Sequence, residues 1–334
     1  MKFVHCFCVA VMLLANVQAN AQSDKSGGML VVIEKGAQSL AIVDPVAGKL
    51  IASVPEGDVT GHEVATSADG RLAYVPIYGD SGVGLPGTNG RNLVAIDVAS
   101  HKVTGNVDFG HGVRPHLPVW GPDGLLYVTT ELDNAVTIVD PKTLKIVGTI
   151  PTHQPESHML AISHDGRRGY TANVGPGTVS VLDLKARKTV AVIPISQKTQ
   201  RISISIDDRM VFTADQTKPQ LAVIDTATNK VKTGIPLPGL GYGSAPTPDG
   251  KWLLITLPDA AKVAAIDLST LKVARTIEVP PAPQAVLIRP DAKVAYASCD
   301  PSNQVAEIDL STWKVSRLIS TGKSPDGMAW AGGK

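Results

Sequence analysis

Three histidines occupy matching places in a repeating sequence. Each stands seven residues ahead of a turn aspartate: His62 before Asp69, His116 before Asp123 and His158 before Asp165. Imidazoles converging from separate chain segments are adequate ligands for Zn, Cu, Mn or Fe, and in neutral form they also accept protons. The same count gives Arg201 before Asp208, Tyr242 before Asp249 and Gln284 before Asp291, with Asp326 at the corresponding point of SPDG (324–327). All seven residues are polar. His111 and Arg114 accompany His116 in GHGVRPHLPVWGPDG (110–124), and His153 and Glu156 accompany His158, so the same connections carry further polar groups.

Only a repeating scaffold brings such distant residues to one point. GTVSVLDLKARKTVAVIPI (177–195) aligns with NAVTIVDPKTLKIVGTIPT, PQLAVIDTATNKVKTGIPL, AKVAAIDLSTLKVARTIEV and NQVAEIDLSTWKVSRLIST, and the aspartate recurs as Asp44, Asp97, Asp140, Asp183, Asp225, Asp267 and Asp309. That makes seven units. A second strand pair surrounds an Asp-Gly type turn in TSADGRLAYV, WGPDGLLYVT and PTPDGKWLLI. The period-two alternation, β-branched residues and turn chemistry predict four short antiparallel strands per unit. Repeated about an axis, the units make an all-β, seven-bladed β-propeller. MLVVIEKG (29–36) opens on a second-strand equivalent and SPDGMAWAG (324–332) is a first-strand equivalent, so the C-terminal inner strand is expected to join three N-terminal strands in one domain spanning 22–334.

These repeats resemble the YVTN family of β-propellers, the YncE-like group, whose units read roughly V-x-V-I-D-x-x-T-x-K-V, then P-x-G, then S-P-D-G-x-x-x-Y-V-T-N. The resemblance covers nearly all of residues 22–334 and implies the fold. It implies no single activity, because the broad group includes surface-layer and periplasmic proteins and related propellers include lactonases and redox enzymes.

Much of the repeat is scaffold. The register aspartates begin polar turns, where a carboxylate bonds backbone amides two residues on. Trp120, Trp252, Trp313 and Trp330 are expected between blades, and Cys299 as a small buried residue. The insertion PIYGDSGVGLPGTNGRN (76–92) falls on the same face as the polar ring, as a mobile lid or one wall of a site.

Lys2, the apolar run from Phe3 to Ala15 and Ala19-Asn20-Ala21 fit a signal peptide over residues 1–21. A soluble periplasmic or secreted monomer is therefore expected, with no membrane span. Thirty-one basic against 30 acidic residues leave no broad field for nucleic acid or anionic lipid.

Two accounts of the ring follow. In the first, the protein is a binding module whose polar funnel, at one mouth of the central channel, takes a small polar or anionic molecule or a partner protein's loop. His62, His111, Arg114, His116, His158, Arg201, Gln284 and Asp326 are the contacts. In the second it is an enzyme, a lyase or lactone hydrolase or, less readily, a metal oxidase. A divalent metal on His62, His116 and His158 would polarise substrate, Arg201 would hold its charge, and Tyr242 or His153 would move a proton. No C-x-x-C-H offers covalent c-type heme attachment, and no G-x-S-x-G elbow is present.

Overall fold

In the computed structural model, which describes residues 27–57 and 59–332, seven sheets of four strands surround one axis. The signal-peptide segment lies outside the described residues. Blade 1 has Pro325–Ala331 innermost, then Met29–Glu34, Ser39–Asp44 and Lys49–Pro55, so the C-terminal strand closes the ring as expected. Blades 2 to 7 begin at the axis with Ala65–Thr66, Pro115–Trp120, Ser157–Ile162, Thr199–Ile204, Ser244–Pro246 and Pro283–Ile288. No described helix is long and apolar enough to cross a membrane.

Burial follows position in the blade. Second and third strands are sandwiched on both faces by neighbouring blades, so runs such as SLAIVD and AVTIVD are buried almost throughout. Fourth strands are largely exposed, with one recurring anchor: Val54, Val107, Ile150, Ile193, Ile235, Ile277 and Ile319. Removing such side chains from water, at about 25 cal/mol per Å² of apolar surface, stabilises the ring, which has no disulfide among the described residues. Tryptophans bridge blades: Trp252 of blade 6 meets Trp313 of blade 7 at 5.0 Å between ring centroids. Cys299 is buried, and burial pushes its thiol up to about 12, which leaves it unreactive.

Turn chemistry is as read. Asp44 Oδ1 accepts the amides of Val46 and Ala47, and Asp309 Oδ1 those of Ser311 and Thr312. The fourth residue after each register aspartate lies at positive φ: Gly48, His101, Leu144, Arg187, Asn229, Leu271 and Trp313. Each blade also shifts register between its third and fourth strands at this end, so every unit turns through the same bulged loop.

The first-strand turns correct one register. The bonding aspartate sits two residues after Ser or Thr in Ser67–Asp69, Ser163–Asp165 and Thr247–Asp249, and in blade 5 that residue is Asp207, bonded by Ser205 and the Arg209 amide. Counting from Asp207 puts Gln200, not Arg201, at the ring position. Strand pairing agrees: Leu160 opposes Thr171 as Ile202 opposes Thr213, which makes Arg201 the equivalent of Met159. One residue of slip in a strand sends a side chain to a different face. Asp326 keeps its assigned place: Ser324, like Arg114, Glu156 and Ala282, has positive φ two residues before the ring position.

Candidate functional site

The polar ring does converge, but as a filled hub and not an open funnel. His116 and His158, 1% and 2% exposed, stack with centroids 3.5 Å apart, while half-buried His62 meets the edge of His116 at 5.5 Å and Tyr78 at 4.6 Å. One step inward lies a second tier: Glu63, Leu117, Met159, Arg201, Gly243, Ala285 and Gly327. From this tier Arg201 reaches across the axis from blade 5 to Glu63 of blade 2, and its Nη2 donates to Asp326 of blade 1 at 3.1 Å. Lys35 closes the network, with Nζ 3.0 Å from Asp326 and 3.8 Å from Asp300. The Tyr242 ring lies under the Arg201 guanidinium at 4.6 Å.

Burial and pairing set the charges. Burial first, then the neighbouring cations Lys35 and Arg201 against Asp326, push His62 down to about 3. His116 and His158 are likewise lowered by burial, so all three imidazoles are neutral at physiological pH. Two groups stacked at 3.5 Å could not both carry charge. Burial opposes ionisation of Asp326, but Lys35 and Arg201 hold it below the usual carboxylate range. Glu63, burial outweighing Arg201, is raised. Burial also disfavours charge on Glu131, yet His158 and Tyr78 hold it below its ordinary value: Tyr78 donates to Oε2 at 2.7 Å, and His158 Nδ1 lies 3.0 Å from the same oxygen. That bond turns the other ring nitrogen of His158 toward an acceptor role. His116 Nδ1 is buried without a hydrogen-bond partner among the described residues.

The remaining sequence candidates divide. Gln284 keeps its ring position but spends its amide on the Ala282 carbonyl, and Gln200 touches the Tyr242 hydroxyl at 3.3 Å. Arg114 is a structural anchor: Nε donates to Asn89, Nη1 to the Gly82 carbonyl and Nη2 to Ser81 and the Leu85 carbonyl. The glycine-rich insertion is thereby pinned as a wall. His111 is exposed and pairs with Asp133 at 2.8 Å on the rim, and His153 is exposed on the loop entering blade 4, outside the hub. Sequence reasoning missed Glu63, Lys35, Tyr78 and Glu131. Lys35, Glu131 and Asp300 share a signal, since each is the first residue after its unit's second strand.

The divalent-metal trio is not formed. Among the described residues no group of three His, Cys, Asp or Glu side chains is placed to hold a metal ion; His116 and His158 pack ring against ring, tilted by 33°, with His62 at the edge of His116.

Residues 120–326 match the family described as the cytochrome D1 heme domain. The chain belongs to the cytochrome D1 heme domain family. The matched segment holds His158, Arg201, Tyr242, Gln284, Glu131 and Asp326 but leaves out His62, His116, Glu63 and Lys35. No curated protein matches the chain. Among solved structures it is similar to a hydrazine synthase chain of Kuenenia stuttgartiensis, with 20% identity, TM-score 0.74, and 86% of this chain and 93% of that one covered. It is also similar to dihydro-heme d1 dehydrogenase NirN in complex with DHE, with 18% identity, TM-score 0.66, and 91% and 75% covered. A functionally unknown protein of Desulfotomaculum acetoxidans DSM 771 shares 15% identity at TM-score 0.75, with 92% and 99% covered. At these identities the likeness is one of fold.

The cytochrome D1 heme domain family implies a heme group, and the residues present can be tested against that implication. The channel cavity beside Arg201, Met159 and Met328 holds about 100 Å³, too small for such a group when ligand pockets measure roughly 300–1,000 Å³. At the mouth the donor chemistry fits, because half-buried His62 is the most accessible of three imidazoles already held in the neutral, ligating form.

Proposed function

We propose that this is an exported ligand-binding propeller that takes a heme-type tetrapyrrole at the mouth of its hub, where the His62 imidazole would hold it. The observation that carries the reading is a neutral, half-buried imidazole standing on a closed, preorganised floor. Family membership and the YVTN-like repeats supply the fold on which it stands. The reading refines the small-ligand account, and the metal is the ligand's own instead of a free divalent ion.

When bound, a heme group would supply one-electron redox chemistry. The chain's own residues do the rest. Tyr78 and His116 pack against His62 and fix its ring plane, so little side-chain freedom is lost on binding. With a pKa near 3, His62 needs to shed no proton to offer its lone pair. The Arg201–Glu63–Asp326 struts close the channel beneath and keep any ligand on the surface.

Titration of the purified protein with ferric heme d1, and with ferric protoheme, tests this by absorption spectroscopy. One equivalent is expected to give an imidazole-ligated spectrum that His62→Ala abolishes and His116→Phe retains. An unchanged spectrum with both hemes, or full ligation by His62→Ala, overturns the proposal.

A further inference from the structure

A second site lies beside the hub, where the insertion stands against blades 3 and 4. The hollow between them measures about 660 Å³ and is walled by Leu85, Pro86, Asn89, Leu132, Pro155 and Glu156. Its size is that of an ordinary ligand pocket. Its walls are set in advance, because Arg114 ties the insertion by side-chain bonds to Asn89, Gly82, Ser81 and Leu85 and by its own amide to the Gly90 carbonyl.

The lining specifies a ligand. Leu85 and Leu132, 60% and 46% exposed, line the same hollow and give it an apolar side. The charges there are unequal. Arg114 is buried and its donors are spent, and Glu131 is buried with Oε2 engaged by Tyr78 and His158. Glu156 is different: among the described residues none hydrogen-bonds or ion-pairs with its carboxylate, and the residue is half-buried. It lies in a slot between two glycines, such that a Cβ on Gly84 or Gly175 would meet one of its oxygens at 2.7 Å.

We infer that this hollow binds a small organic monocation, an ammonium group on an apolar body, with the ammonium on Glu156 and the apolar part against Leu85 and Leu132. The site does not use the hub histidines, so it stands or falls apart from heme binding.

Calorimetric titration with 2-phenylethylammonium, 2-phenylethanol and phenylacetate tests it by charge at nearly constant shape. The cation is expected to bind, the alcohol more weakly and the anion not at all. Glu156→Gln should weaken the cation by about tenfold, the worth of one charge-assisted hydrogen bond, and Leu132→Ser should weaken cation and alcohol alike. Equal binding of all three probes, cation affinity unchanged in Glu156→Gln, or no cation binding by the wild type up to about 10 mM overturns the proposal.

Discussion

Arg201 is the member of the hub whose loss is most informative. Its guanidinium is 4% exposed and joins Glu63 and Asp326 across the axis. Arg201→Met keeps a long apolar side chain but leaves both carboxylates facing a dry cavity. Asp326 retains Lys35 at 3.0 Å, whereas Glu63 loses its direct ion-pair partner. Breaking one side of a buried pair costs about 3–5 kcal/mol. For a domain of this size, with an unfolding entropy of about 2 cal/mol/K per residue, that lowers Tm by roughly 5–8 °C. Replacing both partners removes the stranded charge, so Arg201→Met with Glu63→Gln is expected within about 2 kcal/mol of the parent. Urea unfolding of the parent, both single variants and the double variant, at pH 7 and at fixed ionic strength, measures the cycle. If Arg201→Met alone costs under about 1 kcal/mol, or the double variant is no better than the single, the strut across the axis does not carry load and the reasoning fails.

Two further outcomes follow from the same geometry. The hub histidines have folded pKa values below 6.5, so the unfolded chain binds more protons as pH falls below that value and stability drops; Glu56, pushed by burial up to about 7, and Glu63, also raised, oppose this between 4.5 and 6.5. Three histidines outnumber two glutamates, so stability is expected to fall as pH drops from 6.5 to 4; urea midpoints that stay flat over that range would contradict the buried neutral imidazoles. Arg114→Ala should cost about 2–4 kcal/mol and open residues 80–89 to protease while the rest of the chain resists; cleavage at the parent rate would mean the insertion needs no anchor.

Much of the architecture was legible because it is repeated. The seven aspartates, the Asp-Gly turns and the split first blade each state the fold again, and one error could not hide the pattern. The ring position was legible for the same reason, and it failed where the repeat is ambiguous: ISIDDR offers two aspartates, and only Ser205 bonding Asp207 decides between them. That one-residue shift moved Arg201 from the rim into the channel. What the repeat does not encode is contact across the axis. Glu63 and Arg201 are far apart in sequence and three blades apart, and they meet because the intervening tier holds small or apolar side chains such as Gly243, Ala285 and Gly327. The stacking of His116 on His158 was equally invisible, since spacing alone places two rings together without saying whether they aim at one atom or at each other.

The strand that closes blade 1 also sets an order of events in synthesis. Met29–Pro55 emerges first, yet its inner edge has no partner until Pro325–Ala331 is made, about 270 residues later, or roughly 15–55 s at ordinary elongation rates. Through that interval an open strand edge awaits its neighbour, the sort of surface that chaperones cover. Asp326 arrives on that same strand, so Lys35 and Arg201 lack their shared counter-ion until the ring shuts. Closure of the circle and charge balance at its centre are thus one late step, and a nascent chain stalled before it would have neither.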